Sequence, residues 1–394
     1  MISERLKKVA PSLTLAIDAK AKQMKKEGVD LVGFGAGEPD FNTPENIKEA
    51  GIKAIKDNQT RYTPASGMIE LKTAVAEKLK KDNNLDYKPS DIIISCGAKH
   101  SLYNIFMALL NPGDEVIIFS PYWVSYEEQV KIADGVPVFV ELDETKNFEV
   151  DFDLLNKKIT KKTKAMIVNS PSNPTGAIFS EQTLQKLADI ALKNNLYIIS
   201  DEIYEKLIYN NKKQISIASL SKEVKAKTIV VNGVSKTYAM TGWRIGYLAA
   251  DDKEIISAID NLQSHSTSNP TTPAQIAAIE ALKTSESVIQ AMVAEFDKRR
   301  KHILKRVRAI SGLTAVEPDG AFYIFPNFSS FIGKTIKGKK INGSLDLAEL
   351  LLNEAKVAVV PGIAFGTDKH FRLSYATSMT NIDKGLDRIG DVLK

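Results

Sequence analysis

Four short apolar runs along this chain each end in residues able to do chemistry. After residues 92–94 come Ser95-Cys96-Gly97-Ala98-Lys99, and after 165–168 come Asn169-Ser170-Pro171-Ser172-Asn173-Pro174-Thr175-Gly176. After 196–199 come Ser200-Asp201-Glu202-Ile203-Tyr204, and after 228–231 come Asn232-Gly233-Val234-Ser235-Lys236. If the four ends share one edge of a sheet, Lys99, Asn173, Asp201, Tyr204 and Lys236 converge. A carboxylate, an amide, a phenol and lysines in one place suit a polar aromatic ligand.

The elements needed to bring them together are legible in the same stretch. The runs are β-branched without polar alternation and are separated by helical periodicity. That is the pattern of a mostly parallel sheet covered on both faces, with ligands beyond the carboxyl ends of its strands. Helical spacing runs from Ala98 to Leu110 through Leu102, Ile105, Phe106 and Leu109, until Asn111-Pro112-Gly113-Asp114 breaks it. A second amphipathic helix spans 180–194, with Ser180 able to cap it. The chain ends differ. Residues 12–27 read as a helix stopped by Gly28, and 285–311 as a long charged helix. Residues 321–325 read as an alternating strand, 333–343 as a flexible loop, and two more helices follow. The expected division is a large domain over 45–290 and a smaller α/β domain built from 1–44 and 291–394.

Composition excludes more than it names. With 394 residues, 43% hydrophobic and 26% charged, the chain reads as an ordinary globular protein large enough for two domains. One cysteine, Cys96, forbids an internal disulfide, and four histidines leave little for a metal cluster. No apolar run is long enough for a membrane span. Met1-Ile2-Ser3-Glu4-Arg5 lacks the apolar block of a signal peptide, so a cytoplasmic location is expected. The net charge of +5 is slight and the signs are interspersed, which argues against nucleic acid. The cluster Lys298-Arg299-Arg300-Lys301, with Lys305, Arg306 and Arg308, reads as a solvated helix face, and Cys96 as a small buried residue.

Residues 233–246, Gly-Val-Ser-Lys-Thr-Tyr-Ala-Met-Thr-Gly-Trp-Arg-Ile-Gly, resemble the pyridoxal-phosphate attachment signature of class I aminotransferases, with Lys236 eight residues before Arg244. Asn173-Pro174-Thr175-Gly176, Asp201-Glu202-Ile203-Tyr204, Gly35-Ala36-Gly37-Glu38-Pro39-Asp40-Phe41, Arg61-Tyr62-Thr63-Pro64, Pro121-Tyr122-Trp123 and Phe371-Arg372-Leu373-Ser374-Tyr375 match further family motifs in order. The resemblance covers essentially the whole chain. It is closest to the bacterial aspartate branch that carries Lys99 in place of a small residue.

The resemblance implies a seven-stranded sheet, a homodimer with shared sites, and pyridoxal 5'-phosphate as cofactor. It makes Lys236 the covalent anchor and proton shuttle. Asp201 would keep the pyridine nitrogen protonated, Asn173 and Tyr204 would bond the phenolic oxygen, and Trp123 would stack on the ring. The phosphate falls at the amino end of the helix starting at Ala98, bound by the Ala98 and Lys99 amides and by Arg244. Tyr62 would reach it from the neighbouring subunit. Where many relatives have serine, this chain has Gly233, and Ser235 is the nearest hydroxyl. Arg372 would grip the substrate α-carboxylate with help from the Gly37 N–H.

Relatives that bind dicarboxylates use an arginine just before a Ser-Asn-Pro segment. Here 263–267 supply none, so Lys99 is expected to take the distal carboxylate. The implied reaction is amino transfer from L-aspartate to 2-oxoglutarate in a ping-pong cycle. Prephenate as an acceptor is the alternative, and a carbon–sulfur β-lyase on the same scaffold comes third. A regulator of this family would carry an upstream DNA-binding segment, and only about ten residues precede the first helix. That helix, 12–27, is expected to close over the site when substrate binds.

Overall fold

Runs of β-branched residues form a central eight-stranded sheet because both of its faces are covered by helices. The computed structural model describes residues 2–10 and 13–394, and for residues 4, 13–16 and 18 the backbone alone. In chain order the sheet strands are β1 (Ile92–Ser95), β2 (Glu115–Ser120), β3 (Val136–Asp143), β4 (Glu149–Val150), β5 (Thr163–Asn169), β6 (Tyr197–Asp201), β7 (Thr228–Gly233) and β8 (Gly246–Ala249). Their spatial order is β1-β8-β7-β6-β5-β2-β3-β4. Only β8 and β4 run against the other six. Seven of these strands answer the expected sheet; the eighth, β4, is a two-residue strand added at one edge. β1 and β7 are buried at every residue, which is why they read as unbroken apolar runs.

Helix α1 (Ala98–Leu109) follows β1 and buries Leu102, Ile105, Phe106 and Leu109 against the sheet. Helix α2 (Ser125–Ile132) follows β2 and buries Tyr126 and Val130. The helix Glu181–Lys193 is capped as expected, the Ser180 hydroxyl accepting from the Thr183 N–H at 3.1 Å.

The two chain ends meet beyond this sheet. Val32–Gly33 pairs in parallel with Val357–Ala358, and the Ser374 N–H donates to the Phe34 carbonyl at 2.9 Å. A three-stranded antiparallel sheet has Phe371–Ser374 between Tyr323–Ile324 and Val360–Pro361. The helix expected over 12–27 spans Leu13–Lys26, residue 12 lying outside the described residues, and Gly28 follows at φ +84°.

Three expectations are corrected. Residues 321–325 do not alternate: all five are buried, because both faces of this short strand are covered. The stretch 333–343 is a hairpin, Thr335–Ile336 pairing with Lys339–Lys340, closed by Gly333 N–H to the Ile341 carbonyl at 2.8 Å. The basic cluster lies on helix α3 (Glu286–Arg308) but is not simply a solvated face, since Arg299 and Arg300 are buried. Arg299 pairs with Asp40 and Glu295, and Arg300 with Asp297 and Glu317. No helix among the described residues is long and apolar enough to cross a membrane.

Candidate active site

Because β1, β5, β6 and β7 run the same way, their carboxyl ends share one edge, and a cavity of about 700 Å³ opens there. Ala98 and Lys99 enter it from the start of α1, Trp123 from the segment after β2, and Asn173 from beyond β5. Asp201 ends β6, Tyr204 follows it, and Ser235, Lys236 and Arg244 come from the connection between β7 and β8. Gly37 and Arg372, from the two chain ends, complete the far wall. Tyr62 is not among them. It is 89% exposed on its own chain.

Burial governs the chemistry of the deepest groups. The Lys236 Nζ donates to the Gly37 carbonyl. Burial pulls its pKa down to about 8; the Arg244 and Arg372 charges add to that, while Glu38 and Asp201 oppose it. Asp201 is pushed up to about 6 by burial, against the Tyr126 hydroxyl, the Ile203 N–H and the Lys236 charge. Its Oδ2 accepts from the Tyr126 hydroxyl at 2.6 Å and its Oδ1 from the Ile203 N–H at 3.2 Å.

At the far wall Arg372 is 4% exposed. Its Nη1 donates to Asn173 Oδ1 and its Nη2 to the Gly35 carbonyl, each at 2.9 Å. Its Nε, also buried, has no partner among the described residues. The guanidinium lies 4.3 Å from the Tyr323 ring centre, and the Tyr323 and Tyr204 hydroxyls are 2.8 Å apart. Lys99 Nζ sits 4.9 Å from the Trp123 ring centre, its pKa lowered by burial and by Arg244.

The amino end of α1 is shaped by glycine. Gly97 has φ +85°, a conformation that favours glycine, and the Arg244 guanidinium packs where its Cβ would point. Arg244 itself holds φ +57° and donates to the Thr241 carbonyl at 2.8 Å and the Cys96 carbonyl at 3.3 Å. At Gly233 a Cβ would stand 2.9 Å from Gly246 Cα, so the tight β7–β8 pairing goes with a bare backbone at this position. Lys99, Lys236, Arg244 and Arg372 thus border one cavity, and none forms an ion pair among the described residues. Such a set can hold anions, with one readily deprotonated amine and one buried carboxylate between them.

Sequence reasoning missed several neighbours. Tyr126 and Asn169 line the cavity, as do Tyr323, Thr241 and Glu38. Tyr126 lay three residues past Trp123, a helical step onto the same face, and Asn169 was the last residue of its own strand. Cys96, expected buried, is half-buried, and burial pushes its thiol pKa up rather than activating it. No group of three or more His, Cys, Asp or Glu side chains able to hold a metal occurs among the described residues.

Residues 29–389 match the family described as aminotransferase class I and II. The chain is 51% identical over 394 residues to the aspartate aminotransferase of Bacillus sp. strain YM-2, covering 100% of this chain and 99% of the relative. It is 47% identical to a probable aspartate/prephenate aminotransferase of Aquifex aeolicus, over 100% and 98%. Its fold superposes on the Thermus thermophilus aspartate aminotransferase solved with maleate at a TM-score of 0.93, with 43% identity, over 100% and 99% of the chains.

Proposed function

The chain belongs to the class I and II aminotransferases and is a transaminase, and we propose that it moves an amino group reversibly between L-aspartate and 2-oxoglutarate with pyridoxal 5'-phosphate as cofactor. Three observations support the cofactor. Asp201 faces the cavity with acceptor capacity that its two donors leave unfilled. Gly97 and Arg244 form a cationic cradle at the start of α1. Lys236 combines a lowered pKa with a place in the same cavity. Asp201 would pair with the ring nitrogen, Asn173 and Tyr204 with the ring oxygen, and Trp123 with the ring face. The Ala98 and Lys99 amides, Ser235 and Arg244 would hold the phosphate. When bound, the cofactor supplies an aldehyde that amines attack and a ring that takes up electron density.

The rest is done by this chain's own groups. With a pKa near 8, Lys236 Nζ has an appreciable unprotonated fraction at mildly basic pH and moves the proton at the substrate α-carbon. The Arg372 fork binds the α-carboxylate, and the Gly37 N–H adds a donor. Lys99 takes the distal carboxylate. The observation that carries this substrate class is the pair Lys99 and Arg372, two cations on one cavity without carboxylate partners among the described residues. The relative solved with maleate is a complex with a dicarboxylate. The probable aspartate/prephenate relative supports prephenate, also a dicarboxylate, as a second acceptor. A β-lyase shares the cofactor residues but has less use for Lys99.

The exposure of Tyr62 supports a homodimer in which this residue reaches the partner's phosphate. We read 45–290 as the large domain and 1–44 with 291–394 as the small one. The decisive experiment is a visible spectrum of the cofactor-loaded protein. Aspartate should bleach its long-wavelength band and 2-oxoglutarate restore it. A protein that takes up no cofactor, or whose band ignores both compounds, overturns the reading.

A further inference from the structure

The strand that carries Asp201 does not by itself explain how this carboxylate is held. Its Oδ1 accepts one backbone N–H at 3.2 Å, while Oδ2 depends on a side chain from another element, the Tyr126 hydroxyl at 2.6 Å. Both side chains are buried, at 3% and 2% exposed. Among the described residues that hydroxyl has no other partner. The same ring meets Trp123 edge-on, with centres 5.3 Å apart and planes at 85°. One aromatic side chain on α2 therefore braces two walls of the cavity.

We propose that Tyr126 is a positioning residue that aims and charges Asp201, so that its hydroxyl governs how tightly the chain holds a protonated ring nitrogen. The inference rests on the cofactor reading above. A residue serving only as packing would need no hydroxyl, because a buried phenol that must find a partner is costlier than phenylalanine. This one donates to a buried acid that has no other side-chain donor among the described residues. Burial favours the neutral acid, and a short O–H donor favours the carboxylate. The phenol is itself held well above its usual pKa, by burial first and by the Asp201 charge, so it remains a donor across the working range. The other groups facing Asp201 are Lys236 from beyond β7, whose charge also favours the carboxylate, and Tyr204 on its own connection. From β5, Asn169 binds only the Asp201 backbone carbonyl.

The test is the affinity of the cofactor-free protein for pyridoxal 5'-phosphate, measured from pH 6.5 to 9. Tyr126→Phe should weaken binding about tenfold at pH 7, where raising Asp201 from about 6 by roughly two pKa units leaves about a tenth of it ionised. The deficit should shrink below about twofold at pH 9, where Asp201 ionises unaided. In an Asp201→Asn background the same change should have almost no effect. Tyr126→3-fluorotyrosine, a stronger donor of nearly the same size, should tighten binding at pH 7 even if the phenylalanine variant folds poorly. Wild-type affinity in Tyr126→Phe at every pH overturns the proposal. So does a loss of equal size at every pH, or one undiminished by Asp201→Asn. A wild-type chain that binds no cofactor fails earlier, at the reading beneath.

Discussion

Arg300 on the long helix and Arg372 at the cavity are both almost fully buried, at 0% and 4% exposed, yet the fold treats them oppositely. Arg300 bonds Asp297 at 2.8 Å, Glu317 at 2.6 Å, Asn210 at 2.8 Å and the Pro318 carbonyl at 3.1 Å. Among the described residues Arg372 has two neutral oxygens, an idle Nε and no carboxylate. The contrast extends to their surroundings. On α3, Arg306 joins Asp383 and Asp387, and Lys301 joins Asp297. Around the cavity Lys99, Lys236 and Arg244 lean on carbonyls and an aromatic ring. A buried charge without a counter-charge costs stability, so a fold keeps one only where an anion is to arrive. The first group of cations holds the molecule together. Of the second, the buried Arg372 and the half-buried Lys236 are held in readiness at the fold's expense, while Lys99 and Arg244 keep solvent exposure at the open cavity.

Substitutions can break that contrast. Lys236→Ala should reduce kcat by roughly 10⁴, because it removes both anchor and base, and leave folding intact by circular dichroism. Arg300→Ala should do the reverse. Breaking a buried pair costs about 3–5 kcal/mol, visible in urea unfolding, while KM for aspartate stays unchanged in the folded fraction. Arg372→Lys keeps the charge but loses the fork, and kcat/KM for aspartate and alanine alike should fall about 100-fold. Lys99→Ala should cost aspartate about 50-fold and alanine almost nothing, as a charge-assisted hydrogen bond is worth about 1.5–3 kcal/mol. Equal losses with the two substrates would remove Lys99 from the distal carboxylate.

The comparison also explains what the sequence could reveal. β1 and β7 are buried at every residue, so their unbroken apolar runs located the edge where Lys99, Asp201 and Lys236 meet. Motif spacing then singled out Arg244 and Arg372 among 53 basic residues. Partners distant in sequence left no local signature. Arg299 meets Asp40 across 259 positions, and Arg300 meets Asn210 across 90, so a paired cluster read as a solvated face. Tyr126 carried no sequence signal of its bond to Asp201, which is 75 positions away. The 333–343 hairpin was hidden because its strands are two residues each and carry Lys339 and Lys340, a composition shared with loops.

The smallest effect would sharpen the contrast most, because it measures what readiness costs. In the cofactor-free chain Lys236 has a pKa of about 8, brought down from 10.5 by burial and neighbouring arginines. Unfolded, it keeps its proton up to its ordinary value. Between these two points the unfolded chain binds more protons than the folded one, so stability must rise with pH there. Below pH 8 the cost of the buried charge is felt in full, and above about 10.5 it vanishes. Lys236→Met removes the charge while keeping an unbranched side chain. At pH 7.5 the variant should therefore be the more stable of the two in urea, and by pH 9.5 about 1–2 kcal/mol of that advantage should be gone. Other lysines and tyrosines titrate in both proteins and cancel in the difference. Parallel stability curves would mean that Lys236 is solvated in the free protein, and the cavity would then hold no charge in reserve at its most reactive atom.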